Sequence, residues 1–70
     1  MKRVTLVIPV YNEERFLPSF IKNLFREIKS LKDTPQIVFV NDGSVDKTSE
    51  ILAKVKKSHN ITVIELKKNR

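Results

Sequence analysis

Three short apolar runs, at residues 4–10, 36–40 and 61–66, alternate with two segments of helical periodicity, and this alternation leaves the chain very few folds. The first run reads Val-Thr-Leu-Val-Ile-Pro-Val. It is nearly continuous and rich in β-branched residues, the pattern of a strand buried on both faces of a parallel sheet. Pro9 has no N–H to give a ladder and marks the strand's last rungs. Phe16, Leu17, Phe20, Ile21, Leu24, Phe25, Ile28 and Leu31 then recur at three- and four-residue steps, the apolar stripe of an amphipathic helix. Asn12 is expected as its N-cap, with Glu13 and Glu14 in the first turn against the helix dipole. Pro18 admits two readings: the helix starts near it after an irregular turn, or it kinks an earlier start. Lys32-Asp33-Thr34-Pro35 breaks the pattern before the second strand, residues 36–40.

Residues 41–46 form a turn-rich loop that holds the only glycine, Gly43. A second helix, with Ile51, Leu52 and Val55 as its stripe, is expected from Asp46 or Lys47 to about Ser58. His59-Asn60 reads as its stop, since Asn tolerates the left-handed conformation. Ile61, Val63, Ile64 and Leu66 mark a third strand. The order is β-α-β-α-β, an α/β chain whose right-handed crossovers give three parallel strands in the spatial order 3-2-1. That arrangement is a Rossmann-like half of a doubly wound sheet.

Residues 1–70 are expected to be a single, partial domain. A chain of this size buries only roughly 60% of the surface it exposes unfolded. The absence of cysteine excludes disulfides and thiolate metal sites and fits a reducing compartment. No apolar run approaches the ~18 residues of a membrane span. Met1-Lys2-Arg3 has the basic flank of a signal peptide, but Pro9 and Asn12-Glu13-Glu14 end the apolar run with no cleavage site after it. The chain is expected in the cytoplasm or at the cytoplasmic face of a membrane. Its net charge is +6, with Lys and Arg spread along both helices and the C-terminal Lys67, Lys68 and Arg70. A solvated basic face accounts for this, or attraction to the phosphates of a nucleotide, a nucleic acid or anionic lipid.

Two polar clusters stand where a strand stops and a helix begins: Ile8-Pro9-Val10-Tyr11-Asn12-Glu13-Glu14 and Val40-Asn41-Asp42-Gly43-Ser44-Val45-Asp46-Lys47-Thr48. Open α/β sheets bind ligands at such strand ends. Asp42 is the leading candidate, because a carboxylate there accepts a hydrogen bond from the imide N–H of uracil or guanine and disfavours bases lacking that donor. The alternative is that Asp42 or Asp46 merely caps the second helix, a role read more readily for Asp46. Gly43 supplies positive φ or room for a ligand. It belongs to neither a dinucleotide nor an ATP-type phosphate-loop motif. Ser44 and Thr48 read as capping and turn residues. Tyr11 either lies on a nucleobase or packs on the first helix. His59, with no partner in the sequence pattern, reads as structural or solvent-exposed. Phe16, Phe20 and Phe25, at helical spacing, read as core.

Pro-x-Tyr-Asn-Glu followed at this distance by Asn-Asp-Gly-Ser-x-Asp-x-Thr resembles the start of a family 2 glycosyltransferase of the GT-A type. The wording Asn-Glu-Glu-x-x-Leu-Pro leans toward the dolichol- and polyprenyl-phosphate branch. The resemblance covers the chain from first strand to third. It implies that Pro9 and Val40 line a base pocket, that Glu13 hydrogen-bonds the ribose region, and that Asp42 and Tyr11 contact the base. Asn41 stands where the family often has a first Asp. The implied donor is a UDP- or GDP-sugar, and the implied acceptor a lipid phosphate or polysaccharide. The family's Asp-x-Asp motif, which holds Mg²⁺ or Mn²⁺, and its later catalytic base are not in this sequence, so no catalytic residue is assigned. A fragment, a truncated reading frame or one part of a split protein is expected, binding nucleotide weakly and transferring no sugar alone. The alternatives are a basic module for nucleic acid or anionic membrane, and a small interaction domain that dimerises through its first strand.

Overall fold

The structure, a computed structural model, describes residues 4–66, so the basic ends at 1–3 and 67–70 lie outside the described residues. Five elements follow in the expected order: β1 (Thr5–Val10), α1 (Leu17–Ile28), β2 (Gln36–Asp42), α2 (Thr48–Ser58) and β3 (Ile61–Leu66). The sheet is parallel and three-stranded with β2 at its centre. This is the α/β half-fold read from the periodicity.

Successive residues of a strand face opposite sides of the sheet, and among the described residues one side alone is covered. On β2, Ile37, Phe39 and Asn41 are buried and Val38 and Val40 only half-buried. Ile37 and Phe39 join Val10, Ile61, Leu17, Ile21, Ile28 and Leu52 in one core. Both helices therefore cover the same face, as two right-handed crossovers running in one direction require. On the other face Val7 is 61% exposed, and Ile64 and Leu66 are exposed too. The expectation that β1 is buried on both faces is thus corrected: no second layer covers it among the described residues. Its β-branched composition reflects a strand with two apolar faces, one of them bare here.

The start of α1 is also corrected. Its N-cap is Phe16, not Asn12, with no side-chain capping bond, and its first turn holds no acidic residue. Residues 14–16 form the irregular turn, and the N–H groups of Phe16 and Leu17 donate to the Glu13 carbonyl at 3.0 and 2.8 Å. Pro18 sits at the beginning of the helix, where a missing N–H costs nothing, and so sets the start instead of kinking the middle. The helix ends at Ile28, leaving Leu31 exposed beyond it. Phe16 is 70% exposed and Phe20 is exposed, so only Phe25 of the three phenylalanines packs against the core. Periodicity alone could not separate the stripe's edge from its centre. At the end of α2, His59 is extended and Asn60 is not left-handed; among the described residues the left-handed non-glycine residue is Asn12, at φ 49°.

Candidate functional site

The register puts the two polar clusters side by side. Val10 pairs with Asn41, so Tyr11 and Asp42 follow at the ends of adjacent strands, roughly 4.8 Å apart in strand spacing. Pro9 pairs with Val40, and both lie on the bare face, the face that Asp42 also shares by alternation. Four of the five residues singled out for nucleotide binding therefore gather at one corner of the sheet: Pro9, Tyr11, Val40 and Asp42. Glu13 lies on the helix-covered side of that corner. With Pro9, Val10, Phe16 and Phe20 it lines a pocket of about 220 Å³. Tyr11, Val40 and Asp42 do not line that pocket.

A lattice of hydrogen bonds locks the two loops together. The Asn12 N–H donates to Ser44 Oγ at 2.9 Å, and the Val45 N–H donates to Asn12 Oδ1 at 2.8 Å. The left-handed backbone of Asn12 turns both groups toward the second loop, and Asn bears that conformation at lower cost than most residues. One residue on, the Glu13 N–H donates to the buried Thr48 Oγ1 at 2.9 Å. The Glu14 N–H reaches Asp46 Oδ2 at 3.2 Å, and Glu14 Oε1 accepts from the Lys47 N–H at 3.3 Å. Glu14 thus meets the entry of α2, not the first turn of α1. Gly43, at φ 69°, makes the sharp turn between them possible.

The two loop aspartates divide the available roles. Asp46 accepts from the Thr48 N–H at 2.9 Å and from Glu14, and so closes the start of α2. Burial alone would raise its pKa. The Thr48 hydroxyl, the Thr48 N–H and the Glu14 N–H, all donating to the carboxylate, outweigh that and hold it below the usual carboxylate range. Asp42 is exposed and takes none of the capping bonds; among the described residues its carboxylate accepts no hydrogen bond. The role at the entry of α2 therefore falls to Asp46, one residue before the Lys47 N-cap, and not to Asp42.

Asn41 shows a role that the sequence concealed. It is 0% exposed, and its Nδ2 donates to Ser49 Oγ at 2.6 Å and to Glu65 Oε1 at 2.9 Å. Its Oδ1 faces the Ser44 N–H at 3.4 Å, and its carbonyl accepts from the Gly43 N–H at 3.0 Å. A carboxylate at this position could accept but not donate, and would face Glu65 with a like charge. Asn41 and Glu65 are matched, and only the β2–β3 register reveals it.

Among the described residues no group of three His, Cys, Asp or Glu side chains is placed to hold a metal ion. Asp46 already has both carboxylate oxygens engaged, so the residues here do not fit a metal site and no step is assigned to an ion. His59 is exposed and stacks on Phe25, ring centroids 4.1 Å apart, away from both loops. No helix among the described residues is long and apolar enough to cross a membrane.

The strand-end corner and its two locked loops are carried by the same residues as the motif pair. The profile of glycosyl transferase family 2 matches residues 5–70. The chain belongs to that family. It is 36% identical over its whole length to an undecaprenyl-phosphate 4-deoxy-4-formamido-L-arabinose transferase of Photorhabdus laumondii, covering 22% of that protein. It is 34% identical over its whole length to the transferase of the same name from Salmonella choleraesuis, covering 21% of it. The chain thus spans about a fifth of the length of these curated relatives. No solved structure gives a significant match.

Proposed function

We propose that this family 2 chain is the part of a glycosyltransferase that binds the nucleotide of a UDP- or GDP-sugar, for transfer of the sugar to a lipid phosphate at the cytoplasmic face of a membrane. The observation that carries the reading is the contrast between the two loop aspartates. Asp46 is consumed by the fold, whereas Asp42 stands exposed beside Tyr11 at the carboxyl end of the central strand. In this reading Asp42 accepts the imide N–H of the base, Tyr11 lies against the base, and Pro9 and Val40 form the apolar wall. Glu13 reaches the ribose region from the other side of the corner. The relatives' names support a lipid-phosphate acceptor over a polysaccharide. No residue of this corner is assigned leaving-group assistance or base catalysis, and in this reading its contribution is binding and base selection.

The test is calorimetric titration of UDP, GDP, CDP and ADP into the protein and into Asp42→Ala. UDP or GDP is expected to bind more tightly than CDP and ADP, whose bases lack the imide donor, and Asp42→Ala is expected to weaken that binding at least about tenfold, the low end for an unpaired hydrogen bond to a charged group. Equal affinity in Asp42→Ala, or no preference among the bases, overturns the role given to Asp42.

A further inference from the structure

Away from the strand-end corner, a groove of about 480 Å³ runs along α1 and is lined by Pro18, Phe25 and His59 with Lys22, Arg26 and Lys29. None of these residues belongs to the loops that hold Tyr11 and Asp42. The three cations recur at four- and three-residue steps, which puts them in a row on one face of the helix. All three are exposed, and no acidic side chain lines the groove. The acids nearest in sequence, Glu27 and Asp33, lie outside it.

We propose that this face of α1 docks on an anionic phospholipid surface, the row of Lys22, Arg26 and Lys29 meeting headgroup phosphates. Long basic side chains lay their methylene stems along apolar surface and extend their charged ends, and the aromatic floor of the groove supplies that surface. Arg26 adds a planar fork suited to a phosphate, and each such cation strengthens attachment to an anionic bilayer about fivefold. A single-stranded nucleic acid would need open aromatic faces on which bases stack. Here the Phe25 ring is already stacked on His59 with the planes 29° apart. The charge row and the covered ring favour a flat phosphate surface over a strand of bases. The inference does not rest on nucleotide binding at the other site.

The test is co-sedimentation of the protein with vesicles of phosphatidylcholine alone and of equal parts phosphatidylcholine and phosphatidylglycerol, beside titration with mixed-sequence RNA. The triple variant Lys22→Gln/Arg26→Gln/Lys29→Gln is compared with Lys54→Gln/Lys56→Gln/Lys57→Gln on α2, which removes the same charge from other exposed positions. The α1 variant is expected to lose binding to the anionic vesicles on the order of a hundredfold and the α2 variant less than about tenfold. UDP titration should be unchanged in both, which separates this proposal from the nucleotide reading. Equal losses in the two variants, equal binding to neutral vesicles, or RNA binding that falls with the α1 row as steeply as vesicle binding would each overturn it.

Discussion

Asn41 and Glu65 show why single residues in this site cannot be exchanged by family habit alone. The buried amide of Asn41 donates to both Ser49 and Glu65. Replacing it by Asp removes the donor and sets two carboxylates together, and is expected to destabilise the chain by about 1–3 kcal/mol in urea denaturation. Combining Asn41→Asp with Glu65→Gln should recover part of the loss, because the Gln amide can donate to the new carboxylate. A double variant no more stable than Asn41→Asp would refute the pairing. Asp46 makes a pH prediction. Its pKa is depressed in the fold, so its stabilisation is complete above the unfolded value of about 3.9 and is lost as pH falls through the lower folded value. Asp46→Asn is expected to be less stable at pH 7 and to lose less stability on acidification below about pH 4, as followed by circular dichroism. That Tyr11 and Asp42 stand where strands end, and that Gly43 takes a positive φ, was legible in the sequence because strand ends and turn chemistry are local. Asn12's clamp on Ser44 and Val45 was not, since nothing local says which loop will stand opposite.

Element identities followed from periodicity, but element ends were decided by contacts between elements. The apolar stripe marked α1, yet its first turn is set by Pro18 and by the Glu13 carbonyl, and the carboxylate of Glu14, expected there, bonds the other loop. Strand β2 runs on through Asn41 and Asp42, two residues that sequence alone assigns to a loop, because Glu65 and Leu66 continue the ladder beside them. Pro18→Ala is therefore expected to cost less than about 1 kcal/mol, as suits a proline in a helix's first turn. Ile21→Ala, which empties a buried position one turn later, should cost about 2–5 kcal/mol. A Pro18→Ala loss as large as that of Ile21→Ala would mean the proline fixes more than the helix start.

At the scale of the molecule, one covered sheet face and one left bare among the described residues dominate the physics. The parallel order was readable from the β-α-β-α-β alternation and crossover handedness, whereas the bare face was not, because a two-sided apolar pattern looks the same whether or not a second layer is present. Val7, exposed on that face, offers a direct check. Val7→Lys is expected to change stability by less than about 0.5 kcal/mol, the range of a surface substitution, while lowering concentration-dependent association in light scattering. The bare face and the locked loops meet at the corner formed by Pro9, Tyr11, Val40 and Asp42, the proposed nucleotide site. Titration of UDP and of GDP into ¹⁵N-labelled protein, followed by two-dimensional NMR, tests it most directly. Amide shifts are expected to be confined to residues 10–14 and 40–45 and absent along α1. Shifts that cluster on Lys22, Arg26 and Lys29, with the two loops unmoved, would contradict it.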